Sequence, residues 1–423
     1  MAVNEGRKGY EETKLRWIPD EWNVLSISQL SVNGTQNGLY KTKEFYGDGY
    51  EMVHMPDIFS SRILVEGGMK KVLLSENELS KYQLYEGDLI FARRSLVLEG
   101  VGKCCLIGKL KKPVAFESSI IRVTLKNDLI FPMFALHYLE SYRGKFEMLR
   151  FARQVAVSGI AGSDIQKYVF PLPPLTEQKK IAQILSTWDK AIELTEKLIQ
   201  AKKRLKKGLM QQLLTGKKRF GEFKNENWNI FKLKEKVDKF IVPMRDKPKT
   251  FKGTIPWCRI EDFEGKYLSG SKSNQCVDQE TIKEMRLKVY PVGTVLCSCS
   301  ANLGICAITK VPLITNQTFI GLFPNKYLNE EFLYYQLTFN SVNLNKLSTG
   351  TTISYLSREE FENFSIKIPS LAEQKKIASV LSACDKELKL LNKKLEALKQ
   401  QKKGLMQKLL TGQVRVNHCL NQD

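Results

Sequence analysis

Two sets of residues in this 423-residue chain could do chemistry by their types and spacing. Asp246 with Glu264, Gly265 and Lys266 offers two carboxylates and a lysine, the groups with which a nuclease holds a metal ion at a phosphodiester. Lone Asp and Glu-x-Lys matches recur by chance in charged chains, however, and the first half of the sequence has no equivalent. Cys297, Cys299 and Cys306 form the second set. A zinc site needs four ligands, yet no CxxC pair is present and His54, His137 and His418 lie far away, so buried strand cysteines are the plainer reading. The remaining cysteines have no paired framework and read as free thiols of a reducing compartment. Catalysis has no other foothold. There is no P-loop and no glycine-rich cofactor turn, and Pro173-Pro174 runs into Leu175 instead of the aromatic residue of a methyltransferase loop.

Other residues are better suited to binding than to reacting. Arg93, Arg94 and Ser95 follow the apolar stretch Leu89 to Ala92, where an arginine could bond a guanine edge through two parallel hydrogen bonds. Ser298, Ser300 and Asn302 occupy the matching region of the second half. Asn316 and Gln317 could pair with adenine edges or cap a strand. Thr349 and Thr351, in the polar run Ser348 to Ser357, suit phosphate contact or a solvated loop, as does the run Gly159 to Asp164. Lys202, Lys206 and Lys402 could neutralise phosphates or meet an acidic partner.

What must position these groups is a duplication. Residues 173–216 return as 369–412, gapless and identical at 26 positions. The two segments 177–220 and 373–416 carry +15 of the net charge of +21, a density that fits a polyanion. Each copy reads as one long helix. Ile181, Leu185, Trp188 and Ile192 in the first, and Leu388, Leu391, Leu395 and Leu398 in the second, fall at steps of three and four, a coiled-coil seam. Pro173, Pro174 and Pro369 bar upstream extension. Ser370 with Glu373 reads as a capping box, and Gly216 and Gly412 as C-terminal caps. Gly208 and Gly404 mark kinks or points of close packing.

One such helix cannot bury its stripe alone, so its duplicate is the natural partner. The expected fold is α/β: two similar mixed α/β domains separated by two long helices that form an antiparallel intramolecular coiled coil with pseudo-twofold symmetry. The domains echo each other weakly. Trp22 stands against Trp228, and the run Tyr85 to Ser95 parallels Tyr290 to Ser300. FESSIIRV (116–123) and TNQTFIGL (315–322) read as strands, with helices over 132–149 and 329–347. The boundaries read as an arm over 1–16, a first domain over 17–172, a helix over 173–216, a second domain over 217–368, a helix over 369–413 and a tail over 414–423. No run approaches the roughly 18 apolar residues of a membrane span, which points to a cytoplasmic protein.

The elements LTEQKKIA (Leu175 to Ala182) and LAEQKKIA (Leu371 to Ala378), with the endings KKGLMQ-LLTG at Gly208 to Gly216 and Gly404 to Gly412, resemble the specificity subunit of type I restriction-modification systems. The resemblance spans nearly the whole chain. It implies two target-recognition domains that each read one half of a bipartite DNA target, and conserved helices that set the spacing. It also implies a non-catalytic subunit with double-stranded DNA, two methyltransferase (modification) subunits and two restriction/translocase subunits as partners. S-adenosylmethionine, ATP and Mg would be bound by those partners and no cofactor by this chain. A coiled-coil scaffold that reads no DNA, or a nuclease built on Asp246, Glu264 and Lys266, stands as the alternative.

Overall fold

The structure is a computed structural model that describes residues 8–153, 158–243, 247–300, 303–347 and 355–416. The chain divides into two compact units, residues 1–195 with 394–423, and residues 196–393.

In the first unit a five-stranded sheet runs in the order Ser31–Asn37, Ile120–Leu125, Leu89–Ala92, Cys104–Ile107, Ile63–Leu64. Its last pair is parallel and the others antiparallel. Leu89–Ala92 is buried on both faces, which is why it reads as an unbroken apolar run: Leu89 and Phe91 pack with the helix Pro132–Glu140, and Ile90 and Ala92 pack with Val53, Ile58 and Phe116. A three-stranded sheet, Val114–Phe116, Tyr46–Val53 and Lys70–Val72, accompanies it.

The second unit repeats this plan. Its five-stranded sheet is Val237–Ile241, Phe319–Pro324, Val295–Ser298, Cys306–Thr309, Tyr267–Leu268, again with a parallel last pair. The three-stranded companion is Cys276–Val277, Ile255–Cys258 and Ile314–Thr315. Matching strand order and matching strand directions extend the duplication through the domains, where sequence identity has faded.

The long helices are Leu175–Leu213 and Leu371–Leu409, 39 residues each. In the first unit Ile181 and Leu185 share a core with Met406, Leu409 and Leu410, so the start of one helix lies against the end of the other. In the second unit Leu213 and Leu214 share a core with Ile377 and Leu381, the same antiparallel arrangement. Leu395 is buried, while Trp188, Ile192, Leu388, Leu391 and Leu398 are half-buried, as seam positions of a two-helix ribbon must be. Leu198 and Leu205, one step off the seam, are exposed. Gly216 and Gly412 end the helices with φ of +72° and +71°.

Four expectations need correction. FESSIIRV and TNQTFIGL are each split between two sheets, because a turn intervenes: the amide of Ile120 bonds the carbonyl of Glu117 at 3.0 Å, and the hydroxyl of Thr318 bonds Asn316 Oδ1 at 2.7 Å. The helices over 132–149 and 329–347 are pairs, broken at Ser141 and Asn340. At the first break Ser141 Oγ accepts the amide of Gly144, where a Cβ would sit 1.9 Å from the carbonyl of Tyr138, so only glycine fits. Glu373 makes no capping box with Ser370; its carboxylate is held by Arg219 and Trp228. Gly208 and Gly404 are not close-packing points, since a Cβ at either would meet nothing within 4 Å.

Candidate nucleic-acid interface

The motif EQKKIA is an anchoring device in which the glutamate, the glutamine and the Ile-Ala pair have separate tasks. Ile181 and Ala182, like Ile377 and Ala378, are buried in the unit's core. Gln178 Oε1 accepts the amide of Phe131 at 2.8 Å, and its Nε2 donates to the carbonyls of Leu129 and Pro173 at 3.0 and 2.9 Å. Gln374 does the same for Asn329, Tyr327 and Pro369 at 2.8, 3.0 and 3.0 Å. A buried side-chain amide with three backbone partners fixes the domain's loop on the helix start.

The glutamate before it closes a clasp. Arg415 reaches Glu177 through Nε and Nη2, each at 2.9 Å, and lies over the Trp22 ring. In the second unit Arg219 reaches Glu373 at 2.6 and 2.7 Å and lies over Trp228. Each arginine stands three residues past a helix-ending glycine and returns to the first turn of the other helix, where the dipole favours a carboxylate. The clasps differ in their outer partners, Glu21 for Arg415 and the carbonyls of Phe223 and Glu226 for Arg219, and at the indole: Trp228 Nε1 donates to Glu373 at 3.0 Å, whereas Trp22 Nε1 is buried with no partner among the described residues.

A polar lock seats each recognition domain farther along the helices. In the first unit Arg62 binds Glu140 through Nε at 2.9 Å and through Nη2, and it binds Asp189 through Nη1. Lys402 takes the other oxygen of Asp189. His137, wholly buried, accepts from Arg62 at Nδ1 across 3.3 Å and places Nε2 3.3 Å from Ser186 Oγ. A guanidinium can only donate, so this imidazole is neutral at Nδ1. Burial, with the Arg62 charge beside it, pulls its pKa down to about 3.

In the second unit Lys266 stands before the matching strand and binds Glu331 at 2.9 Å and Ser382 at 2.5 Å. Tyr335 takes the place of His137, donating to Asp385 at 2.6 Å, and Lys206 binds Asp385 from the other helix. Burial and the Asp385 carboxylate push the Tyr335 hydroxyl up. The long helices thus present the same serine, aspartate and lysine to both domains, and each domain answers with its own pair.

These locks redirect several candidate residues. Lys202 is ion-paired with Glu387 at 2.7 Å, and Lys206 and Lys402 with Asp385 and Asp189, so the three seam lysines spend their charge inside their unit. Two members of the nuclease set are engaged elsewhere, Glu264 with Lys272 at 2.5 Å and Lys266 in the lock, and Asp246 lies outside the described residues. Cys297 and Cys306 face each other across paired strands, and Cys299 is buried on the same side.

Among the proposed readers, Ser298 is buried and its hydroxyl accepts the amide of Ile305 at 3.0 Å, which removes it from any DNA surface. Asn316 shapes its own turn, whereas the next residue, Gln317, is exposed. Ser300 is half-buried beside Tyr355. Arg94 is exposed and Arg93 and Ser95 half-buried, on a short ribbon in which Arg94 and Ser95 pair with Ser158 and Gly159. Asn302, Thr349 and Thr351 lie outside the described residues.

The type I restriction modification DNA specificity domain matches this sequence twice, over residues 19–203 and 225–400. The chain belongs to that specificity family. It is similar to the MjaX and MjaVIII specificity subunits of Methanocaldococcus jannaschii. The first is 26% identical over 419 residues, 97% of each chain, and the second 26% over 440 residues, 95% of each. A crystal structure of a type I restriction-modification S subunit from M. genitalium shares its fold, with a TM-score of 0.56 at 16% identity over 97% of this chain and 98% of that one.

Reading the sequence of this specificity chain missed the clasp and lock residues Arg62, Asp189, Arg219 and Arg415. A signal existed for three of them: 196 positions on, Asp189 recurs as Asp385 and Arg219 as Arg415.

Proposed function

We propose that this chain is the DNA sequence-recognition subunit of a type I restriction-modification complex, with one recognition domain for each half of a bipartite target. It is a non-catalytic member of that complex. The observation that carries the reading is the double match of the specificity domain, supported by the same strand order in both units. Two diverged domains held on duplicated helices by equivalent locks suit a task in which the mounting stays constant and the reading differs.

The partners follow from the family. Such subunits work with DNA and with methyltransferase and restriction subunits, and we assign two of each to the complex. S-adenosylmethionine, ATP and Mg belong to those subunits in this reading, which also places the chain in the cytoplasm. No helix among the described residues is long and apolar enough to cross a membrane. Arg93, Arg94, Ser95, Ser300 and Gln317 are the candidate DNA contacts that the structure leaves at or near the surface.

Sequencing methylated adenines in cells that carry this chain with its methyltransferase tests the proposal. A split motif is expected, and exchange of residues 17–170 for those of a relative should change one half of it. An unsplit motif, or a change in both halves, counts against one domain per half-site.

A further inference from the structure

The turn after Leu89–Ala92 carries an apolar tip that its unit leaves in solvent. Leu96 is 91% exposed and Val97 59%. The turn is tied at both ends. Arg94 and Ser95 pair with Ser158 and Gly159, and the amide of Ile160 bonds the carbonyl of Arg93 at 3.0 Å. Ser95 Oγ accepts the amide of Val97 at 3.2 Å, and a short 3-10 turn, Leu98–Gly100, follows. Gly100 packs so closely that a Cβ there would stand 2.3 Å from Ser95 Oγ and 3.1 Å from the Phe59 ring. A leucine on a turn fixed this way has no route back to the core.

Its surroundings are cationic. Arg93 and Arg94 precede the tip, and Lys103 follows it with its ammonium 5.2 Å from the centre of the half-exposed Phe59 ring. Arg153, bonded through its amide to Gly159 at 2.9 Å, has a side chain 73% exposed that is paired with Asp164 at 3.2 Å. Among the described residues, the unpaired charge at the tip is that of Arg93, Arg94 and Lys103. Glu99 is the sole acid from Arg93 to Lys103. Apolar tips ringed by cations match a duplex, where phosphates meet the charges and the tip meets a base.

We infer that Leu96, with Val97 beside it, makes the apolar base contact of the first recognition domain. This rests on the DNA-recognition reading above. The base chemistry is either the C5 methyl group of a thymine or the face of an opened base step, both of which accept an aliphatic side chain and neither of which accepts a charge. The second half has Ser300, Ala301 and Asn302 at the matching place, with four fewer residues before the next strand, so the contact serves one half-site.

The test uses the full chain, a duplex carrying the methylated site mapped as above, and an unrelated duplex. Leu96→Ala should weaken binding to the site on the order of tenfold, the effect of losing one base contact. Binding to the unrelated duplex and the salt dependence should stay as in wild type, because an apolar contact releases no counterion. Leu96→Met should retain the affinity. If the partner is a thymine methyl, uracil at that position reproduces the loss in wild type and adds nothing in Leu96→Ala. If it is a base step, 2-aminopurine placed there brightens with wild type and not with Leu96→Ala. Wild-type affinity and an unchanged methylation motif in Leu96→Ala would overturn the inference, as would an equal loss on both duplexes. Normal DNA binding with failure to join the methyltransferase would overturn it too, by making the tip a protein-docking surface. A wild-type chain that binds neither duplex would refute the recognition reading itself.

Discussion

Lys402 and Asp189 form an ion pair between the two long helices, and Lys206 and Asp385 form its duplicate in the second unit. In the first unit the same carboxylate also accepts from Arg62, so one side chain joins the helix pair to the recognition domain. That double duty makes Asp189 more costly to lose than either cation.

Asp189→Asn should leave Lys402 without its charge partner, and Arg62 with Glu140 alone, in a half-buried site. Breaking a buried pair costs about 3–5 kcal/mol, and partial exposure here reduces the expected loss to about 2 kcal/mol. The urea midpoint of the full chain reports it. Lys203→Ala, on an exposed position of the same helix, should change the midpoint little.

The helices were legible in the sequence because their information is local: a stripe at steps of three and four, prolines before it and glycine after it. The locks were not, since Arg62 and Asp189 are 127 positions apart and no periodicity relates them. The repeat shows the helix side of each lock, where Asp189 recurs as Asp385, and hides the domain side, because Arg62 and His137 in one domain become Lys266 and Tyr335 in the other. The split strands escaped for another reason. Phe116 and Ile120 are both fully buried, and a short polar turn between two apolar runs leaves the pattern looking continuous. Among the candidate contacts, residue type alone could not separate Ser298, whose hydroxyl faces a backbone amide, from Arg94, which faces solvent.

The two clasps should respond differently to the same substitution. Trp228→Phe deletes a hydrogen bond to a carboxylate, worth about 1.5–3 kcal/mol, whereas Trp22→Phe deletes an N–H that has no partner among the described residues. A double-mutant cycle of Trp228→Phe with Glu373→Gln should show coupling of about 1 kcal/mol or more, and the cycle of Trp22→Phe with Glu177→Gln close to none. Equal coupling in both would contradict the difference at Nε1.

Seam lysines and exposed cations should separate in DNA binding. Each phosphate contact contributes about 0.9 to the slope of log affinity against log salt. Lys402→Gln should therefore lower stability and leave that slope unchanged, since its charge is already spent on Asp189. Arg94→Gln should do the reverse if Arg94 meets a phosphate. A slope that falls by about one in Lys402→Gln would show that the lysine leaves its partner when DNA binds.

His137 gives the first unit an acid-sensitive element that the second unit lacks. Its imidazole titrates near 3 when folded, against about 6.5 for an unperturbed histidine, so the unfolded chain binds the extra proton throughout that window. The stability contributed by keeping this ring neutral is therefore fully present above about pH 6.5 and drains away as pH falls toward 3, by about 1.4 kcal/mol per pH unit. Protonation would place a second cation against Arg62, with Lys402 nearby and Asp189 as the opposing carboxylate. His137→Gln keeps an acceptor for Arg62 and removes the titration. The variant should be somewhat less stable than wild type at pH 8 and lose less on acidification, so that the two urea midpoints converge between about pH 6 and pH 4. Parallel pH profiles would show that the ring does not stay neutral in the folded chain.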